Sequence, residues 1–231
     1  MVISGNNRPI VKQRPIGIYG GSFDPIHYGH LRPNLELCER LDLAQVRFIP
    51  AFQSPHKDSP QIPLEQRLEM VAQAIKDEPR FVLDEREIQR GGASYTIDTL
   101  KSLRQDYPER PLCLLMGMDA FAGIDQWHQW QAILDYAHII VSHRPSMCAD
   151  RHDKLIFSAT VERFYQAHKA DENNINDSIG QCLSGTIHLE PVTQLAISAT
   201  DIRNRLKNKQ SIRYLMPEAV INLIKYYDLY T

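Results

Sequence analysis

Two histidines three residues apart, His27 and His30, follow a glycine pair in the stretch Gly20-Gly21-Ser22-Phe23-Asp24-Pro25-Ile26-His27-Tyr28-Gly29-His30. Glycines remove the side chains that would hold an anion away from backbone N–H groups. Imidazoles at this spacing lie on nearly one face of a helix, so both can point at the same bound group. A helix opening here would add unsatisfied N–H donors and a partial positive charge. The chemistry indicated is the holding of a phosphate-like anion. Either feature alone is explained as well by an ordinary turn or by surface histidines; their coincidence around Asp24-Pro25 favours a site.

A second candidate is Ile197-Ser198-Ala199-Thr200-Asp201-Ile202-Arg203. Ser198 is placed to cap a helix, with Asp201 three residues on, and Arg203 lies more than one turn beyond the cap, where it can lean back toward the helix start. Gly117-Met118-Asp119 offers a third, because a glycine lets a flat base pass close to the backbone and a carboxylate accepts from ribose hydroxyls. Common nucleotide signatures are missing: the chain holds no G-x-x-x-x-G-K-[ST], and Gly17-Ile18-Tyr19-Gly20 does not fit G-x-G-x-x-G. Phosphoryl transfer on a P-loop and dinucleotide oxidation are thereby disfavoured.

These residues need a scaffold that brings them together. Short apolar, β-favouring runs occur at 16–19, 46–49, 81–83, 112–116, 138–141 and 186–189, separated by amphipathic stretches. Such alternation predicts an α/β fold, a doubly wound and mainly parallel sheet covered on both faces, with ligands at the carboxyl ends of the strands. The glycine pair falls where the first strand hands over to the first helix. Thr96 is expected to cap a helix that Pro108 stops, and Met216-Pro217-Glu218 to start a C-terminal helical portion. Between about 146 and 185 the pattern weakens to one helical face, Val161, Phe164, Tyr165 and His168, and a polar loop. That stretch reads as an insert with a solvated surface helix inside a single domain spanning 1–231.

Composition narrows the function classes. Of 231 residues, 26 are Lys or Arg and 28 Asp or Glu, a formal charge of −2, and 43% are hydrophobic. Near-neutral charge argues against a nucleic-acid partner or a polybasic membrane binder, but not against small anionic ligands. With no signal-peptide core and no apolar run of membrane-spanning length, a cytoplasmic protein is expected. Cys38, Cys113, Cys148 and Cys182 are scattered without a C-x-x-C pair, so neither zinc nor a disulfide framework is signalled. Homo-oligomerisation is compatible with the sequence.

The first stretch resembles the phosphate-binding signature of the nucleotidyltransferase superfamily with the H-x-G-H motif, and the second resembles that superfamily's I-S-x-T-x-x-R signature. Ser54-Pro55-His56-Lys57, Ser94-Tyr95-Thr96, Met116-Gly117-Met118-Asp119, Trp127 and Ser142-His143-Arg144-Pro145 look like the bacterial nicotinate-nucleotide adenylyltransferases. The similarity covers most of the chain outside the insert. It implies transfer of AMP from ATP to nicotinate mononucleotide, giving nicotinate adenine dinucleotide and pyrophosphate in NAD biosynthesis. On the matching positions it implies catalytic roles for His27, His30, Lys57 and Arg203. ATP would be bound by Gly20, Gly21, Ser22, Phe23, Gly117, Asp119, Ile197, Ser198, Thr200 and Arg203. The mononucleotide would be bound by Ser22, His56, Thr96, Trp127 and Arg144. Departures from the family's usual pattern are Ser54 for Pro, Ala199 for Ser and His128 for Tyr.

The implied reaction suits these residues. Two phosphates repel, by about 4 kcal/mol for unit charges ~4 Å apart at an effective dielectric near 20, and cationic or amide groups must offset this. Mg²⁺ on the triphosphate would add to them, with no protein side chain as metal ligand. A nicotinate ring carries a positive charge and an edge carboxylate, so Trp127 would face the ring and Thr96 the carboxylate. Adenylyl transfer to nicotinamide mononucleotide or phosphopantetheine is the nearest alternative, and a non-catalytic nucleotide sensor the more distant one.

Overall fold

A computed structural model describes residues 13–53, 60–143, 157–170 and 179–230. His56, Lys57, Arg144 and the polar loop at 171–177 lie outside the described residues, as do the residues before 13.

All six expected strands form, as β1 (Ile16–Gly21), β2 (Gln45–Pro50), β3 (Phe81–Leu83), β4 (Leu112–Gly117), β5 (His138–His143) and β6 (Ile187–Pro191). Every pairing is parallel, in the order β3-β2-β1-β4-β5-β6. The order reverses between β1 and β4, the topological switch point of a doubly wound sheet. Their pairing stops at Ile18 and Leu114, whereas β1 runs on beside β2 to Gly21 and β4 beside β5 to Gly117. The two strands therefore diverge, and both glycine segments edge the crevice that opens between them.

Apolar side chains on both faces of the sheet explain why the strands read as continuous runs rather than alternating ones. On one face, Leu31, Leu37 and Cys38 of α1 (Tyr28–Arg40) and Met70, Val71 and Ile75 of α2 (Leu64–Ile75) share a core with the C-terminal helices. The other core holds Leu100 and Leu103 of α4 (Thr96–Asp106), which follows the short α3 (Arg86–Arg90). It also takes in Phe121 of α5 (Met118–Ala122) and Ile133 and Leu134 of α6 (Ile133–Tyr136).

The helix expected within the insert is α7 (Ala159–His168), capped by Ser158. It is not a solvated surface helix. Val161 and Phe164 are buried in the second core, and Phe164 meets the Trp130 ring edge-on with centroids 4.6 Å apart. Its apolar face at positions i and i+3 found a partner that its weak local pattern did not disclose. The C-terminal portion consists of α8 (Ala199–Lys207) and α9 (Glu218–Tyr226). Among the described residues no helix is long and apolar enough to cross a membrane.

Candidate active site

The first signature wraps the carboxyl end of β1. Phe23 adopts the left-handed conformation (φ 48°) and sends its ring into the core against Tyr19, Phe48 and His30, so only its backbone remains for a ligand. The Asp24–Pro25 peptide bond is cis. His27 then takes the N-cap position of α1 in extended conformation, and His30 is the third helical residue.

These histidines stack, with ring centroids 3.7 Å apart and planes 24° from parallel. The His27 backbone N–H donates to His30 Nδ1 at 3.2 Å. His30 therefore keeps a lone pair on Nδ1 and, as the neutral tautomer, carries its proton on Nε2. His27 is almost completely buried, and among the described residues its Nδ1 has no hydrogen-bond partner. Burial lowers its pKa to about 4, so the ring is neutral at pH 7 in the protein alone. The charge state of His27 is thus set by its burial, which the sequence alone left open.

Gly29 stands where the two signatures meet. A Cβ there would lie 2.9 Å from His27 Cε1 and Nδ1 and 3.1 Å from the Ile197 carbonyl oxygen. Only a residue without a side chain lets the His27 ring and the Ile197 backbone close on α1 from two sides. Ser198 caps α8 as expected, its hydroxyl accepting from Asp201 N–H at 3.1 Å. Arg203 leans back to the first turn, donating to Thr200 Oγ1 at 3.3 Å and to the Asp24 carbonyl at 2.7 Å. The N-termini of α1 and α8 thus converge on the same turn, and their orphan N–H groups with them.

Asp24 is the hub that sequence reasoning overlooked. One carboxylate oxygen accepts from Tyr230 Oη at 2.7 Å, and the other accepts from Gln61 N–H at 2.9 Å and lies 3.8 Å from Arg203. Tyr230 is 206 residues away in sequence, and no local pattern joins the two. Burial and the Asp24 carboxylate together push the Tyr230 phenol up, so it stays a donor at any physiological pH.

Gly117 and Asp119 border the crevice from the β4 side. A Cβ on Gly117 would meet nothing within 4 Å, which leaves open floor for a flat group, and Asp119 is exposed in the first turn of α5. Thr96 is not a cap: Tyr95 holds the N-cap position without a side-chain bond, and Thr96 is the first helical residue. Its backbone N–H still lacks an intrahelical acceptor, as the first turn requires. Tyr95 lies tilted against His128 with ring centroids 4.5 Å apart, and Lys101 Nζ donates to Gln129 Oε1 at 3.3 Å. Those contacts bring the start of α4 beside the half-buried Trp127.

A polar cavity of about 550 Å³ lies elsewhere, between the ends of β2 and β3 and helices α3 and α4. Its charges serve one another, with Asp84 accepting from Arg47 at 2.6 Å and from Arg86 at 2.7 Å. It contains none of the signature residues. No three His, Cys, Asp or Glu side chains among the described residues come together to hold a metal ion.

The cytidylyltransferase-like family matches residues 18–205 of this chain. A protein of Psychromonas ingrahamii named as a probable nicotinate-nucleotide adenylyltransferase is 43% identical over 220 residues, 95% of this chain and 99% of its own length. One from Hydrogenovibrio crunogenus with the same name is 44% identical over 217 residues, 94% of this chain and 98% of its own. In fold the chain is similar to the nicotinic acid mononucleotide adenylyltransferase of Plasmodium falciparum complexed with NaAD. That match has a TM-score of 0.64 at 19% identity over 94% of this chain and 98% of the other.

Proposed function

This chain belongs with the nicotinate-nucleotide adenylyltransferases of the cytidylyltransferase-like family, and from that premise we propose how its residues perform the transfer of AMP from ATP to nicotinate mononucleotide. An oxygen of the mononucleotide phosphate attacks the α-phosphorus of ATP. The new P–O bond completes the dinucleotide as the bond to the β-phosphate breaks, and pyrophosphate leaves. No enzyme nucleophile is required, so catalysis consists of alignment and of offsetting charge as oxygens crowd the α-phosphorus.

One observation supports this reading: Gly29 lets the two signatures touch, which gathers stacked His27 and His30, Arg203 and two helix N-termini around the turn after β1. His30 offers its Nε2 proton to phosphate oxygens. Arg203 and Ser198 with Thr200 are assigned to the β- and γ-phosphates, Gly20, Gly21, Ser22 and the Phe23 backbone to the turn around the transferred phosphate, and Gly117 and Asp119 to the adenosine. Lys57 and His56 are assigned to the phosphates by the signature they complete, and Arg144 to the mononucleotide phosphate. Trp127 faces the pyridinium ring, while the first-turn N–H groups of α4 and the Thr96 hydroxyl meet its carboxylate. A nicotinamide would turn an N–H₂ donor toward those donors, and an unpaired polar group is what a site rejects.

The donor set at the turn consists of N–H groups and imidazoles, which suits an anion rather than a bare cation. Mg²⁺ therefore belongs to this reading as part of the bound triphosphate, where it neutralises phosphate charge. The same reading takes 1–231 as one domain with an insert at about 146–185, acting in the cytoplasm. The test is pyrophosphate release with ATP and each of nicotinate mononucleotide, nicotinamide mononucleotide and phosphopantetheine. The first should be strongly preferred; preference for either of the others would overturn the roles of Thr96 and Trp127. His30→Ala should reduce turnover far more than ATP affinity, and an equal fall in both would make His30 a binding residue only.

A further inference from the structure

Among the described residues Arg67 is the largest fully buried side chain, at 2% exposure, and nothing in the signatures accounts for it. It lies on the inner face of α2 with Met70 and Val71, both fully buried, where the helical pattern calls for an apolar residue. Burial lowers its pKa, yet a guanidinium remains charged at neutral pH. Among the described residues no carboxylate forms a close ion pair with it. Instead Nη1 donates to the Ser22 carbonyl at 2.7 Å, Nη2 donates to the Ala51 carbonyl at 2.9 Å, and among the described residues Nε has no partner.

Those two carbonyls lie where the β1–β2 ladder runs out. The last backbone hydrogen bond of the ladder runs from Ala51 N–H to Gly21 C=O, at 2.9 Å, and the next carbonyl along each chain, that of Ser22 and that of Ala51 itself, is met by Arg67. In a trans peptide the C=O and the following N–H point in opposite directions. Holding the Ser22 carbonyl inward therefore sends the Phe23 N–H outward, and among the described residues that N–H has no acceptor. Phe23 is in the left-handed conformation, which an anion nest of backbone N–H groups uses at one of its residues.

Resting on the phosphate site assigned above, we propose that Arg67 is a positioning residue for adenylyl transfer. From inside the core it locks the Ser22–Phe23 peptide so that the Phe23 N–H faces the transferred phosphate, and it sets a fixed positive charge beneath that turn. Lysine at this position would keep the charge without the planar fork that reaches two carbonyls on separate strands, and methionine would keep neither.

Backbone amide shifts measured by NMR on the full chain, with and without ATP, test this together with steady-state kinetics on Arg67→Met and Arg67→Lys. In the wild-type protein the Phe23 amide should shift on ATP addition. Arg67→Met should lose that shift and bind ATP about tenfold more weakly, with the KM for nicotinate mononucleotide within twofold, and Arg67→Lys should restore part of both. Should Arg67→Met fail to fold, the lysine variant decides: a diminished Phe23 shift with weaker ATP binding supports the assignment, and wild-type values for both overturn it. A folded Arg67→Met that keeps the wild-type shift and affinity overturns the role of Arg67 alone. A wild-type enzyme that turns over with the Phe23 amide unmoved overturns the phosphate placement itself, and this role with it.

Discussion

Gly29→Ala separates alignment from stability more sharply than any other single change. The added Cβ would sit 2.9 Å from two atoms of the His27 ring and 3.1 Å from the Ile197 carbonyl oxygen, against ordinary contact distances of about 3.5–4.0 Å. His27 cannot swing aside, because it is buried and stacked 3.7 Å from His30, and Ile197 O is backbone next to the Ser198 cap. The two helix N-termini must therefore part by roughly 0.5–1 Å. Overpacking costs about 1–3 kcal/mol, and alanine regains roughly 0.5–1 kcal/mol as the better helix former. The net is a loss of about 0–2.5 kcal/mol, or a Tm lower by some 0–10 °C at roughly 2–4 °C per kcal/mol for a chain of this size. Turnover should suffer far more, since a displacement near 1 Å at reacting groups is worth about a hundredfold. Pyrophosphate release at saturating ATP and nicotinate mononucleotide, run beside thermal melts, measures both. Gly123→Ala is the control, because its Cβ would meet nothing closer than 4.0 Å, and it should change neither. A Gly29→Ala enzyme with kcat within twofold of wild type would refute the claim that contact between the signatures aligns the reactants. So would a collapse of Tm large enough to explain the lost activity.

Other consequences follow from single contacts. Tyr230→Phe deletes the 2.7 Å bond to Asp24 and leaves a buried carboxylate oxygen short of a donor, which should cost about 2 kcal/mol and lower Tm by some 4–8 °C; an unchanged melt would show that the chain end does not secure the turn. Burial depresses His27 and His188 to about 4, so the unfolded chain, titrating near 6.5, binds more protons below that pH. Their contribution is complete above about pH 6.5 and is lost as pH falls toward 4, about 3 kcal/mol for each. Equilibrium unfolding at pH 7 and pH 4.5 measures it, and equal stability at the two would contradict the burial. Trp127→Ala should raise the KM for nicotinate mononucleotide about 5- to 30-fold while leaving that for ATP within twofold. If the KM for ATP rose equally, Trp127 would be packing rather than recognition.

The sequence by itself determined the six strands, the parallel α/β class and the two signatures, because each is a local matter. A run such as Leu112–Gly117 is apolar throughout when both of its faces are covered, and the ends of α1 and α8 are marked by the short-range chemistry of His27 and Ser198. Family resemblance added roles for particular positions, though Thr96 proved to be the first residue of its helix rather than its cap. Tertiary structure alone decided how these pieces act on one another. The neutrality of His27 comes from burial under residues contributed by distant segments, and the docking of α7 comes from Trp130 and the second core rather than from its own weak pattern. Asp24 meets Tyr230, and Arg67 meets Ser22 and Ala51, through contacts between points 206, 45 and 16 residues apart. Periodicity and capping report only what a residue does with its near neighbours, while desolvation and long-range hydrogen bonds depend on which surfaces the fold brings together.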